Sequence, residues 1–195
     1  MRRRVLSVDS ETGGLDLRDT LKTVQVWEGK KGRSYHMPQE LPTLKKDYGE
    51  AFEDPDVIKI IHSSEFDIPM IYWHTGLLIT GLWDTKLMES VILGVGMQRT
   101  KDFKKNPVWD AKWSTSLDWT LKRRKIAKLE KAHRELYYDK IAMQRYLEVY
   151  GQKEVDRLQK RYELDDVKYL EELMNQQRED IYELELEEVA ELENA

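Results

Sequence analysis

Asp9 and Glu11 stand two residues apart at the end of a short apolar run, Val5, Leu6 and Val8. On a strand, period-two alternation aims both carboxylates the same way. Two acids side by side at the end of a buried strand repel each other and are costly to desolvate, and a divalent cation is the usual remedy. The other reading is a strand that simply ends in a solvated acidic turn. Further along, Val155, Leu158, Tyr162, Tyr169 and Leu173 share one face of a helix expected from Gln152 to about Arg178. Asp166 falls in the middle of that stripe, four residues after Tyr162 and stacked on it, with Asp165 at the edge. An acid centred on a core-facing stripe is out of place unless something offsets its desolvation, a salt bridge being the alternative. Asp67 opens an apolar helix (Ile68, Met70, Ile71) behind a tight turn, where a cap or an acid favoured by the macrodipole is the simpler reading. Together, four acids in three segments define a candidate site for two divalent ions, clamping the attacking and leaving oxygens of an in-line phosphoryl displacement. The oxygen-only donors point to Mg²⁺ or Mn²⁺ rather than zinc, since there is no cysteine and His36, His62, His74 and His133 are scattered without ligand spacing.

These side chains need elements to hold them. Arg4 to Asp9 reads as a first strand, Thr12-Gly13-Gly14 as a turn, and Lys22 to Glu28 as a second strand. Gly29 to Gly32 reads as a hairpin turn and Ser34 to Met37 as a third strand, making the first three strands antiparallel. A helix is expected from Leu41, with Pro42 in its first turn, to about Phe52. The β-branched run Val57 to Ile61 has the pattern of a central strand covered on both faces, and Phe66 to Trp73 that of a helix. Trp83-Asp84-Thr85 starts another helix, with Asp84 as its N-cap and Leu87, Met88, Val91 and Ile92 on its buried face. Residues 97–113 lack periodicity and read as an irregular loop; a helix capped near Ser114 continues through Leu121, and Tyr137 to Tyr150 reads as a helix stopped by Gly151. Residues 1–178 form the expected main domain, and 179–195 an acidic amphipathic C-terminal helix or tail.

The chain has 195 residues, enough for one core, and 35% of them are charged, for a formal net charge of −5. That near-balance hides an asymmetry: Arg99 to Arg134 is strongly basic, whereas Glu179 to Glu193 holds eight acids and no base. A basic middle suggests a polyanionic partner, and the total argues against indiscriminate coating of nucleic acid. The start of the chain does not read as a signal peptide, and no apolar stretch approaches the ~20 residues that span a bilayer, so the expectation is a reducing, cytoplasmic protein.

Val8 to Asp16, Ile61 to Asp67 and Tyr162 to Leu170 resemble, in order and spacing, the three motifs of the DEDD 3′–5′ exonucleases. The tyrosine four residues before the last acid marks the tyrosine subclass, which includes RNase D and the proofreading domain of family A DNA polymerases. The first motif leans toward the polymerase branch. The resemblance implies an α/β protein with an RNase H-like mixed five-stranded sheet and helices on both faces. It implies that Asp9, Glu11, Asp67 and Asp166 hold two divalent ions, that Tyr162 orients the attacking water, and that Thr12 and Leu15 contact the terminal nucleotide. His62, Ser63 and Phe66 join them as expected substrate contacts. Ser63 departs from the family, which usually has Asn there to help hold the substrate strand.

The expected activity is therefore hydrolysis of single-stranded DNA or frayed 3′ ends to nucleoside 5′-monophosphates, in the manner of a proofreading partner of a DNA polymerase. RNase D-like trimming of RNA 3′ ends and a non-catalytic nucleic-acid-binding module of the same fold are the alternatives. Lys104, Lys105, Lys122, Arg123 and Arg124 could line the path of the strand, with Trp109 or Trp113 as stacking platforms; the competing reading is a solvated basic helix with its tryptophans in the core.

Overall fold

The computed structural model describes residues 3–94, 114–129 and 140–193. Five strands form one sheet in the order β3-β2-β1-β4-β5: β1 (Val5–Thr12), β2 (Leu21–Glu28), β3 (Lys31–His36), β4 (Ile58–Ile61) and β5 (Leu82–Asp84). β1, β2 and β3 are antiparallel neighbours, whereas β4 runs parallel to β1 and β5 parallel to β4. This is the mixed five-stranded sheet that the resemblance implies.

Strand periodicity sorts the core into two layers. Leu6 and Val8 of β1 point with Val24, Val26, Tyr35 and Ile61 to the face covered by α1 (Leu41–Glu53) and α2 (Ser64–Thr75). Val5, Ile58 and Ile60 point the other way, onto α4 (Leu117–Arg123) and α7 (Leu170–Glu183). α5 (Lys140–Tyr150) packs on α6 (Gln152–Lys168), and α6 lies across β1, β2 and β3 on this second face. α3 (Thr85–Leu93) packs against α7, and α8 (Glu187–Glu193) sets Ala190 against Met88 and Ile181. No described helix is long and apolar enough to cross a membrane.

Four local expectations change. The β2–β3 turn is the two residues Gly29 and Lys30, with Gly29 at φ 60°, so β3 starts three residues earlier than its apolar pattern indicates. Gly32 belongs to the strand, directly opposite Trp27, and a Cβ there would run into the indole. Trp83 and Asp84 form β5 rather than the first turn of α3, whose fully buried residues are Thr85, Met88 and Glu89 instead of a purely apolar set. The long helix expected from Gln152 is two helices that meet at Tyr169, with no glycine or proline at the break. The bend lets α6 cover β1 to β3 while α7 covers β1 and β4, each burying its own stripe. α7 continues through residue 178 to Glu183. The expected loop at 97–113, with Lys104, Lys105, Trp109 and Trp113, lies outside the described residues.

Lys59 was hidden inside an otherwise apolar run. Its side chain is fully buried on β4, and its Nζ donates to the carbonyls of Ala51 (3.1 Å) and Asp54 (2.6 Å) at the end of α1. α1 has no basic residue in its last turn, so the neighbouring strand supplies the cation that its exposed carbonyls and macrodipole favour.

Candidate active site

Because β1, β4 and β5 run the same way, their carboxyl ends share one edge of the sheet. Ligands in open α/β sheets bind outside such an edge. β1 brings Asp9 and Glu11 there on the face that carries Val5 and Ser7; β4 leads through His62 and Ser63 into α2 and Asp67; β5 ends in Asp84. α6 crosses the same edge with Tyr162 and Asp166. Carboxylate oxygens of Asp9, Glu11 and Asp166 all lie within 4.8 Å of one another. Asp67 joins them electrostatically: the Asp9 carboxyl is pushed well above the usual range first by burial, then by the charges of Asp67, Asp166 and Glu11. Asp67 is pushed up to about 7 by burial, while the hydroxyl and amide of Ser10 donate to it and oppose the shift. Carboxylates this close and this poorly hydrated fit a hard divalent cation, which favours six to eight oxygen ligands for Ca²⁺ and near-octahedral oxygen for Mg²⁺. The donor set suits the ions expected from the sequence.

Asp84 builds the frame. It caps α3 as expected, accepting from the amides of Lys86 (2.8 Å) and Leu87 (3.0 Å). It also accepts from the amides of Ser63 (3.3 Å) and Ser64 (2.7 Å) and the Ser64 hydroxyl (2.6 Å), so one buried carboxylate holds the starts of both α3 and α2. Ser63, the N-cap of α2, makes no side-chain cap of its own and sits at φ 78°, in the left-handed region.

A cleft of about 430 Å³ opens at this edge, lined by Asp9, His62, Ser63, Lys86, Ser116, Leu117, Asp118, Leu129, Tyr162, Asp165 and Asp166. His62 Nδ1 lies 2.9 Å from Thr85 Oγ1, which also donates to the Ile61 carbonyl at 3.3 Å. Burial holds the imidazole down at about 4, and it is neutral near pH 7.

The structure brings Asp9, Tyr162, Asp166, His62 and Ser63 into one cleft, with Glu11 and Asp67 beside it. Asp166 sits at the flank of the α6 stripe rather than its centre. Val155, Glu163 and Val167 are the fully buried positions, so the acid at the heart of the stripe is Glu163, and Tyr162 and Asp166 turn toward the cleft. Thr12 is buried and its hydroxyl donates to the Gly14 carbonyl (2.6 Å). Leu15 is 86% exposed in the loop after β1, and Phe66 is half-buried on α2.

The basic cluster is placed differently from the expectation. Lys122 lies over the ring of Trp119. Arg123 and Arg124 turn inward onto the buried Glu89, at 2.7 and 2.9 Å, and Arg124 also pairs with Asp180 at 2.7 Å; its side chain is 9% exposed. Arg123 and Arg124 thus take part in an ion-pair network around Glu89, because α3 presents an acid where its pattern offered only apolar partners. Lys86, Ser116, Leu117, Asp118 and Leu129 were missed as lining residues. They come from segments far apart in the chain, and no local spacing marks them.

An RNase H-like sheet with an acidic cluster and a tyrosine at its carboxyl edge defines a nuclease. The sequence matches a family model described as 3′–5′ exonuclease over residues 2–180, and the chain belongs to that family. No curated protein matches the sequence at a significant level. Among solved structures, Brucella melitensis NrnC bound to pGG is 19% identical with a TM-score of 0.66, covering 96% of this chain and 78% of that one. The catalytic core of RRP6 from Trypanosoma brucei is 14% identical with a TM-score of 0.69, covering 97% and 44%. Escherichia coli RNase D, described as an exoribonuclease involved in structured RNA processing, is 14% identical with a TM-score of 0.61, covering 97% and 44%. These likenesses establish the fold.

Proposed function

We propose that the chain removes nucleoside 5′-monophosphates from the 3′ ends of RNA in a reaction dependent on divalent cations. The observation that carries this is the convergence of Asp9, Glu11 and Asp166 oxygens within 4.8 Å, with Tyr162 and a cleft beside them. The family supplies the direction of attack on the strand. RNA is favoured over the DNA and the polymerase partner expected from the sequence, because the relatives include an RNase D that processes structured RNA. NrnC, a relative solved both with Mg²⁺ and with pGG, supports the choice of ion and a short strand as substrate.

Asp9, Glu11, Asp67 and Asp166 would hold the cations. Bound there, the ions would supply charge for the phosphoryl oxygens and a nucleophile at neutral pH. Tyr162 stands one helical turn before Asp166, so its phenol can hydrogen-bond the attacking water and set its line to phosphorus. Water adds to the terminal phosphodiester, the bond from phosphorus to the 3′ oxygen breaks, and the shortened strand keeps a 3′-hydroxyl.

The test is digestion of 5′-labelled RNA and DNA oligonucleotides with Mg²⁺ or Mn²⁺. A ladder that shortens from the 3′ end on RNA is expected, lost with EDTA and with Asp9→Ala. Tyr162→Phe should lower kcat about 10²–10⁴-fold with little change in KM, the range for a lost proton-positioning group. Degradation of DNA with RNA spared would move the substrate assignment to DNA, and no degradation with either metal would refute the reading.

A further inference from the structure

The cleft beside the acidic cluster has an uneven charge. Four of its lining residues are acids, Asp9, Asp118, Asp165 and Asp166, and His62 is neutral near pH 7. Among the described residues that line it, Lys86 is the one cation. A nucleic-acid strand brings a negative charge at every linkage, and cations held by the acids would answer only the phosphate being cleaved. The next phosphate along the strand needs a separate positive partner.

Lys86 is built for that position. It occupies the first turn of α3, where its amide donates to Asp84, and that carboxylate also fixes Ser63 and Ser64 ahead of Asp67. Its ammonium is thereby placed in the same frame as the acids. Nζ donates to Ser63 Oγ at 2.7 Å and to Glu65. An ammonium has three donors, so one N–H remains for a ligand in the cleft. Glu65 is well exposed, at 63% of its side chain, and it can yield the ammonium to a phosphate and turn into water. Ser63 contributes through its shortness, since its hydroxyl reaches Lys86 from the left-handed N-cap of α2.

We propose that Lys86 binds the phosphate of one internal linkage, on the 5′ side of the scissile bond, and so holds the strand that is being shortened. This rests on the exonuclease reading above.

The test uses a set of 5′-labelled oligonucleotides, each with a single uncharged methylphosphonate linkage at a different position from the 3′ end, against the wild type, Lys86→Met and Lys86→Arg. With the unmodified strand, Lys86→Met should raise KM about tenfold with kcat within threefold, and the slope of log KM against log salt should fall by about 0.7, the value for one lost phosphate contact on a single strand. Lys86→Arg should restore KM, which separates lost charge from a disturbed fold. In the wild type, one methylphosphonate position should raise KM about tenfold; in Lys86→Met that same position should have no effect. Superimposable profiles for wild type and Lys86→Met, or an unchanged KM, would overturn the assignment of Lys86. A wild type that degrades no strand at all would instead overturn the exonuclease reading on which it rests.

Discussion

Glu89→Gln tests whether the basic cluster on α4 is internal scaffolding. Glu89 is 1% exposed, and its carboxylate accepts four hydrogen bonds: Arg123 Nη2 at 2.7 Å and Nε at 3.3 Å on one oxygen, Arg124 Nε at 2.9 Å and Gln177 Nε2 at 3.0 Å on the other. Gln177 also receives the Trp83 indole N–H and donates to the Thr85 carbonyl, so the network ties α3, α4, α7 and β5 together. Glutamine keeps the shape but turns one acceptor oxygen into an amide donor that faces another donor. Two charge-assisted bonds are lost, worth about 1.5–3 kcal/mol each. Breaking a buried pair from one side costs about 3–5 kcal/mol in general. Arg123 keeps the Ser114 carbonyl and Arg124 keeps Asp180, which places the expected loss near the lower end, about 3 kcal/mol.

For a chain of this length, that loss lowers Tm by roughly 6–12 °C. Urea unfolding followed by far-UV circular dichroism gives the free energy directly, and oligonucleotide kinetics at 10 °C, well below both transitions, give KM. The expected pattern is a large stability loss with KM within about twofold. The same pattern is expected for Arg124→Met, and in a double-mutant cycle the two substitutions should couple by more than about 1 kcal/mol. A stability loss under about 1 kcal/mol, or a KM rise in Arg124→Met without loss of stability, would refute the scaffold role and return the arginines to the strand path.

Lys59→Met removes the donor to the Ala51 and Asp54 carbonyls while keeping most of the side-chain volume; leaving the end of α1 unpaired should cost about 2 kcal/mol in urea unfolding, and a neutral result would show that water replaces the ammonium. The acidic cluster should make the metal-free protein pH-sensitive. Asp67 is raised in the folded state to about 7, so its contribution to stability is fully present below the ordinary carboxylate range and is lost as pH rises toward and through 7. In EDTA, the Tm of Asp67→Asn minus that of the wild type should therefore grow between pH 4.5 and 8, and Mg²⁺ should shrink the gap by stabilising the wild type; parallel curves would count against repulsion at this site.

How much of this could be read from the chain alone depends on the range of the signal. The first three strands and the β4 run were legible because two-residue alternation and β-branched patches are local. Asp9, Glu11 and Asp166 stand out locally, as acids in a buried strand and on a helix stripe, whereas Asp67 fits an ordinary acidic helix start and Tyr162 carries no local mark, so their expected roles rest on the resemblance. The phase of that stripe was off by one residue, since Glu163 occupies the buried centre and only the packing of α6 on β1 to β3 reveals it. Asp84 was seen as the cap of α3, but its hold on Ser63 and Ser64 spans about twenty residues and has no local mark. For the same reason, Arg123 and Arg124 looked like a solvent-facing patch, and their partner Glu89 lies more than thirty residues away.

The acids at the edge of the sheet divide by what solvates them. Asp84 is as buried as Glu11 and Asp67, at 3% exposure against 4%, yet at least five protein donors converge on its two oxygens. Amides and a hydroxyl thus do for it what water does for an exposed carboxylate, and it needs no cation. Asp67 has Ser10 to oppose its burial, and its carboxyl still rises to about 7; Asp9 has the Ser10 amide and three neighbouring acids. Burial without enough donors is a cost that folding alone would remove by substituting Asn or Leu. Placing these acids beside Glu11 and Asp166 makes sense when the missing charge arrives with a bound ion. On that argument Asp84→Asn should harm the fold while Asp9→Asn should stabilise the metal-free chain and abolish its need for metal together with its activity. The two substitutions are nearly isosteric and sit near the carboxyl ends of β1 and β5 in the same sheet, so opposite signs in urea unfolding would come from the donors and charges around each carboxylate, and equal signs would sink the distinction.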